Sequence, residues 1–100
     1  MQDREFYTGF IRLHILHHAA EGPIFGLWII EELARHGYKL SPGTIYPLLH
    51  SMEKKGYLKS HCEVSSGRNR RFYQITSAGQ KALDEAKGKV RELFGELFEE

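Results

Sequence analysis

Cysteine is almost absent from the sequence, with Cys62 as the only one. A single thiol cannot form an intramolecular disulfide or a zinc site made of several thiolates, and such a composition fits a reducing cytoplasm. No stretch approaches the roughly 18 apolar residues that a membrane span requires, and residues 1–5 carry no signal-peptide pattern. We therefore expect a cytoplasmic protein with no membrane partner.

Enzyme motifs are missing as well. The sequence contains no glycine-rich phosphate loop, no Gly-x-Ser-x-Gly turn and no paired carboxylates in a plausible cleft. Cys62 has no motif that would place an activating base beside it. We therefore expect a protein that is not an enzyme and that carries no cofactor.

The charge, in contrast, is unevenly distributed. The net charge is only +1, yet residues 54–76 carry six Lys/Arg against one Asp/Glu, whereas residues 1–53 and 77–100 each carry a net charge of −2. A basic segment on an otherwise acidic body is typical of a nucleic-acid contact surface. Double-stranded DNA is therefore the expected partner.

Three amphipathic helices are predicted in the first half of the chain. Apolar residues recur at intervals of three and four over residues 4–20, about 25–36 and 41–55. Ser41 has the position of an N-cap, and Pro42 that of a first helical residue. Each segment can therefore bury one side in a common core.

Pro47 is difficult to place in the third helix, because an internal proline removes a hydrogen bond and kinks the axis. One arrangement avoids this cost. Residues 41–43 would form a separate tight turn, so that the regular helix would begin near Thr44 with Pro47 in its first turn. We take this arrangement as the expectation.

A β-hairpin and a long helix complete the chain. Residues 57–64 alternate between two faces, residues 65–70 have the composition of a turn, and residues 71–75 are a second β-prone run. The last helix is predicted to start near Ser77, which has capping-box spacing to Gln80. This order of elements predicts an α+β fold, mainly α with a small β-hairpin, built as a winged helix-turn-helix plus a C-terminal dimerisation helix.

The third helix leaves Tyr46 and Pro47 outside once its apolar stripe is turned inward. We interpret this outer face as a recognition helix in the major groove, with an ordinary amphipathic helix as the alternative. The arginine-rich hairpin tip is interpreted as a contact to phosphates or the minor groove, with a solvated loop as the alternative. The predicted DNA-binding residues are Ser41, Thr44, Tyr46, Pro47, His50, Lys54, Arg68, Asn69, Arg70 and Arg71.

The last helix carries a heptad seam, because its apolar residues alternate between steps of three and four. This seam offers more apolar surface than the core of one small domain is expected to cover. We expect a homodimer, with a DNA-binding domain over residues 1–76 and a dimerisation helix over residues 77–100. The predicted dimer contacts are Phe6, Phe10, Leu83, Ala86, Val90, Leu93, Phe94 and Leu97.

Two groups of residues have no clear role in this scheme. His14 and His18 are an i, i+4 pair that could bind zinc or nickel with a third ligand. No partner at a known ligand spacing lies beside them, and His17 is equally suited to a helix interface, so no metal is expected. Trp28 could cover the first helix, flank an effector pocket or contact the DNA backbone.

Four stretches together resemble the PadR family of transcriptional regulators, over roughly residues 8–95. They are Gly22-Pro23-Ile24-Phe25-Gly26, the run from Leu40 to His50, Glu53-Lys54-Lys55-Gly56, and Gly67-Arg68 through Phe72-Tyr73-Gln74-Ile75-Thr76 with Gly79. The resemblance implies a winged-helix homodimer, usually a repressor, that binds an inverted-repeat operator and releases it on binding a small aromatic effector. It assigns Thr44, Tyr46, Pro47 and His50 to the recognition helix, and Arg68, Arg70 and Arg71 to the wing.

This chain departs from the family pattern at one place. Many members have an aromatic residue directly after the second glycine of the Gly-Pro-x-x-Gly stretch, where this chain has Leu27 followed by Trp28. The single helix after residue 76 is similar to the compact branch of the family.

The alternative function is a protein-interaction module whose basic hairpin binds an acidic protein. Salt-sensitive, sequence-selective DNA binding separates the two functions.

Overall fold

Four helices surround a three-stranded sheet in the computed structural model, which describes residues 3–99. Residues 1–2 of the predicted DNA-binding domain and residue 100 of the predicted dimerisation helix lie outside this range. The elements in chain order are α1 (Arg4–Glu21), β1 (Ile24–Phe25), α2 (Gly26–Arg35), α3 (Pro42–Lys54), β2 (Leu58–Ser65), β3 (Arg68–Ile75) and α4 (Ser77–Phe98). This is the predicted α+β arrangement of a winged helix-turn-helix.

One apolar core joins these elements. Each helix and strand contributes at least one side chain to it, and no polar or charged residue in the described part of the chain is buried. Burial of apolar surface is therefore the main source of stability. The core consists of Ile11, Ile15, Leu16, Ala19, Ile24, Ile29, Leu33, Leu40, Ile45, Leu49, Met52, Leu58, Tyr73 and Leu83.

The strand β1 is absent from the sequence prediction, which contains only a two-stranded hairpin. In the structure Ile24 pairs with Tyr73 and Phe25 with Phe72, so that the antiparallel sheet has the order β1-β3-β2. Two residues are too few to show the alternation by which strands are recognised. The predicted hairpin is thus correct but incomplete.

The wing formed by β2 and β3 turns more tightly than expected. Ser65 pairs with Arg68, so the turn consists of Ser66 and Gly67, which have φ angles of 54° and 75°. Positive φ at both central residues matches the twist of a two-residue hairpin. The prediction of a turn over residues 65–70 is therefore wrong, because Arg68 to Arg70 pair as a strand despite their turn-like composition.

The start of α3 also differs from the expectation. The helix begins at Pro42, since the backbone N–H groups of Thr44 and Ile45 both donate to the carbonyl of Ser41 at 3.0 Å. The separate turn over residues 41–43 is therefore wrong, and Pro47 lies inside the helix. Water can satisfy the carbonyl that loses its partner to Pro47, because the N-terminal turn is exposed.

A close backbone contact packs α4 against the end of the wing that lies next to the core. Gly79 lies against the carbonyl of Tyr57 and the side chain of Ile75, where no Cβ atom would fit. Thr76 caps the helix, because its hydroxyl accepts a hydrogen bond from the Gly79 N–H at 3.0 Å. The predicted cap at Ser77 is therefore one residue too late.

The apolar surface of α1 is only partly covered. Phe6 and Phe10, which are predicted dimer contacts, are 69% and 46% exposed in the single chain, whereas Ile11, Ile15 and Leu16 are buried. None of the helices over residues 3–99 is long and apolar enough to cross a membrane.

We predict that Gly79→Ala destabilises the protein by about 1–3 kcal/mol, as overpacking does in well-packed interiors. The backbone of Tyr57 cannot yield easily to a new Cβ atom, so the loss should exceed the gain in helix propensity. Urea unfolding at a fixed protein concentration measures the difference.

Gly88→Ala is the matched control in the same helix, because nothing lies within 4 Å of the Cβ atom it would add. It should stabilise the protein by up to about 1 kcal/mol. Equal effects of the two substitutions would contradict the close contact at Gly79.

Candidate nucleic-acid interface

The solvent-facing side of α3 carries most of the predicted recognition residues. Its buried side packs against α2 and β2, which fixes the rotation of the helix about its axis. Of the predicted residues, Thr44 is half-buried. The predicted residues extend along the helix for roughly 20 Å, from Ser41 to Lys54. The exposed predicted residues are Ser41, Tyr46, Pro47, His50 and Lys54.

Tyr46 lies over the N-terminus of α2. Its ring rests on Gly26, and a Cβ atom at that position would overlap the ring. The ring nevertheless remains 41% exposed. It borders a cleft of about 180 Å³ whose other walls include Phe25 and Leu27. The basic side of this cleft is formed by Arg68, Asn69, Arg70 and Arg71.

The wing arginines do not form the single cluster that was predicted at a turn. They follow one another on β3, so neighbouring side chains point to opposite faces of the sheet. The guanidinium carbon of Arg70 lies 4.4 Å from the centroid of the Phe25 ring, a cation–π distance. Its Nε atom is buried without a hydrogen-bond partner among the described residues.

Arg71 is held on the other face by a polar chain that leads to α3. Its guanidinium donates to the hydroxyl of Ser60 at 3.0 Å, and that hydroxyl donates to the carboxylate of Glu53 at 2.7 Å. The N–H of Ser60 donates to the same carboxylate at 3.2 Å. This chain fixes the wing relative to the C-terminal half of α3.

A third basic element was missed in the sequence analysis. Arg4, Thr8 and Arg12 of α1 line a groove of about 260 Å³ together with Thr44 and Pro47 of α3. The Nε atom of Arg12, like that of Arg70, is buried without a hydrogen-bond partner in the described part of the chain. The repeated step of four residues from Arg4 to Arg12 was the available signal, since it places all three on one helix face.

Comparisons with known proteins agree with this geometry. The profile of the Transcriptional regulator PadR-like family matches residues 15–85. The chain belongs to the PadR-like family of transcriptional regulators. A relative from Mycobacterium tuberculosis (strain ATCC 25618 / H37Rv), named Transcriptional regulator Rv3488, is 50% identical over 95 residues, which cover 95% of this chain and 89% of the relative.

Solved PadR structures have the same fold. The PadR-like regulator from Bacillus cereus superposes with a TM-score of 0.81 at 30% identity, covering 96% of this chain and 98% of that one. The PadR regulator from Eggerthella lenta gives a TM-score of 0.79 at 28% identity, covering 95% and 87%. This PadR-like chain is therefore a DNA-binding transcriptional regulator with a winged-helix fold.

The α4 helix of this PadR-like chain exposes a continuous apolar face. Val90, Leu93, Phe94 and Leu97 are 44–64% exposed, although apolar residues at heptad spacing normally pack against another helix. Ala86 is half-buried. Leu83 is only 3% exposed and belongs to the core of its own chain.

Trp28 contacts α1, which supports the simplest of its three interpretations. Its ring meets that of His18 edge-on at 5.4 Å between centroids. The two residues also line a cleft of about 360 Å³ with Pro23 and Phe25. Trp28 therefore covers the junction between α1 and α2 and forms one wall of an open cleft.

We predict that Tyr46→Ala weakens binding to a duplex selected from a random library by roughly tenfold or more, because the ring lies on the exposed side of α3, which is the predicted recognition helix. Its unfolding free energy should stay within about 1 kcal/mol of the unsubstituted protein, as for other exposed sites. Fluorescence anisotropy and urea unfolding provide the two measurements.

Gly26→Ala tests the same ring without removing it. The new Cβ atom would displace the far end of the Tyr46 ring, so it should also weaken binding while changing stability little. If Tyr46→Ala costs several kcal/mol of stability, Tyr46 is a core residue and the orientation of α3 proposed here is wrong.

Proposed function

We propose that this PadR-like regulator is a homodimeric repressor that binds an inverted-repeat operator. One observation carries the proposal: Tyr46 of α3 and the basic residues of β3 line the same cleft. A helix that enters the major groove and a wing that reaches the adjacent backbone need this arrangement. In a repressor, bound protein blocks access to the promoter.

The α3 residues are proposed to read the DNA, and the wing to hold it. Tyr46, Pro47 and His50 occupy the central turns of α3, from which side chains reach base edges. Ser41, Thr44 and Lys54 are proposed as contacts to the backbone on either side. The wing residues Arg68, Asn69, Arg70 and Arg71 are proposed to bind phosphates.

Two arginines with unpaired Nε atoms support phosphate binding next to α3. The Nε atoms of Arg12 on α1 and Arg70 on β3 are buried without a hydrogen-bond partner in the described part of the chain, although both side chains are only partly buried as a whole. A phosphate oxygen accepts strongly from a guanidinium group. Contact with DNA would therefore complete the hydrogen bonding of both side chains.

Dimerisation is proposed to use α4 and the start of α1. Phe10 and Val90 line one apolar groove of about 270 Å³ between these helices, and Phe6 is exposed nearby on α1. Covering this surface with a second copy would remove the exposed rings of Phe6 and Phe10 from water. Two-fold symmetry would then place two α3 helices about 34 Å apart, which suits an inverted repeat.

A small aromatic effector is proposed as the signal that releases the operator. The cleft beside Trp28 has a volume of about 360 Å³, which is within the usual size of ligand sites, and Phe25 offers a second ring. Phe25 also touches Arg70, so a ligand in this cleft would act next to the wing. Equilibrium dialysis with small aromatic compounds tests whether the protein binds such a ligand.

We predict that Arg68→Ala, Arg70→Ala and Arg71→Ala each lower the salt dependence of DNA binding by about one unit in the log–log slope, as for a lost phosphate contact. Affinity should fall equally for the selected duplex and for random duplexes. Anisotropy titrations from low to high salt measure the slopes.

Lys89→Ala on the exposed surface of α4 is the control, and it should leave the slope unchanged. Loss of affinity for one sequence alone would mean that the wing reads bases. A protein that enriches no sequence from a random library would instead be the interaction module, and the proposed function would fail.

We predict that Leu93→Glu with Leu97→Glu yields a folded monomer that binds the operator much more weakly, because two charges would replace exposed apolar contacts. Sedimentation at tens of micromolar measures the oligomeric state. Gly88→Glu with Gly95→Glu adds the same charge to the opposite side of α4 and should remain dimeric. An unsubstituted protein that is monomeric under these conditions would contradict the proposed assembly.

A further inference from the structure

Two neighbouring histidines of α1 meet a third, distant in sequence, at the junction of α1 and α2. His14 and His18 lie on α1, and His36 is the C-cap residue of α2. One nitrogen atom from each ring lies within 4.8 Å of the others. The ring centroids of His14 and His36 are 4.8 Å apart. The fold therefore adds a third imidazole to the pair that the sequence contains.

A carboxylate reaches two of the three rings. The Oε2 atom of Glu32 lies 3.5 Å from Nε2 of His18 and 3.2 Å from Nε2 of His36. The Glu32 and His18 side chains are mostly buried, at 15% and 13% exposure. Three imidazoles therefore lie together, and a carboxylate contacts two of them at a point that is partly shielded from water.

Neighbouring aromatic rings restrict the rotation of these ligands. The Tyr38 ring meets His14 edge-on at 5.5 Å, and the Trp28 ring meets His18 edge-on at 5.4 Å. Burial is the main cause that lowers the pKa of His14. The nearby rings of His36, His18 and His17 lower this pKa further, whereas the carboxylate of Glu32 raises it.

We propose that His14, His18 and His36 bind one divalent transition-metal ion of the zinc type, with Glu32 as the fourth ligand. Imidazole nitrogen and carboxylate oxygen are the donors that such ions prefer, and a tetrahedral site with three histidines and one further ligand is a common arrangement. Binding would draw the ligand atoms to about 3.3 Å from one another, as metal–ligand bonds near 2.0–2.1 Å require. Small rotations of the side chains supply this movement.

A second cluster competes for the same ion. His17, His18 and Glu21 also offer three ligand atoms within 4.8 Å, but they all lie on α1. His17 and Glu21 are 53% and 64% exposed, so that site would be open to water. The mostly buried carboxylate of Glu32 favours the site that joins two helices.

The test uses protein without a histidine tag, dialysed free of metal, and titrated with Zn²⁺ in a calorimeter. We expect one ion per chain and an unfolding midpoint that rises with Zn²⁺ concentration. Mg²⁺ at the same concentration should not bind, because it prefers oxygen ligands. Co²⁺ should give the intense visible absorption of a four-coordinate ion.

His36→Gln is the decisive variant, because only the inter-helix site uses this residue. It should reduce Zn²⁺ affinity at least about a hundredfold, whereas Glu32→Gln should reduce it about 10–100-fold. His17→Gln is the matched control and should bind normally. Unfolding curves without metal establish that each variant is folded.

Three results would overturn the proposal. No binding of Zn²⁺ would mean that Glu32 only forms ion pairs with His18 and His36. Loss of binding in His17→Gln but not in His36→Gln would assign the ion to the cluster on α1. Weak octahedral Co²⁺ absorption would indicate a solvated ion at the surface.

Discussion

A core without buried polar or charged residues in the described part of the chain is the constraint on which the fold depends. Apolar burial brings helices and strands together, but it is non-directional and leaves their relative orientation loosely defined. Close contacts at two glycines add directional constraints, because the ring of Tyr46 lies on Gly26 and Gly79 lies against the carbonyl of Tyr57. The first contact joins α3 to the start of α2, and the second joins α4 to the residue before β2. The surface that carries the predicted DNA-binding residues is therefore shaped in part by positions that lack side chains.

Periodicity in the sequence was sufficient to predict the helices, the hairpin and the winged-helix order. Periodicity failed where a strand is very short and where residues of turn-like composition pair as a strand. The strand β1 has two residues and owes its existence to pairing with β3, which no local pattern reveals. The helix α3 tolerates Pro47 because the lost hydrogen bond falls near an exposed end, so local propensity gave the wrong start.

The exposure of the predicted site residues followed from the sequence more readily than their arrangement did. Tyr46 and His50 were expected on the outer face of α3 and are exposed there. Arg70 and Arg71 were expected side by side, yet strand pairing separates them onto two faces of the sheet, where one stacks on Phe25 and the other donates to Ser60. Such placement depends on the register of two strands, which the sequence of either one does not contain.

The outer part of the wing adds nothing to the core, since no residue from 59 to 72 is buried. Substitutions at positions of this kind usually change stability by no more than about 0.5 kcal/mol. The structure separates a core that sets stability from a hairpin that contributes little to it. Side chains of the hairpin outside the Arg71–Ser60–Glu53 chain can therefore be exchanged with little loss of stability, so the contacts of this surface can change while the fold stays the same.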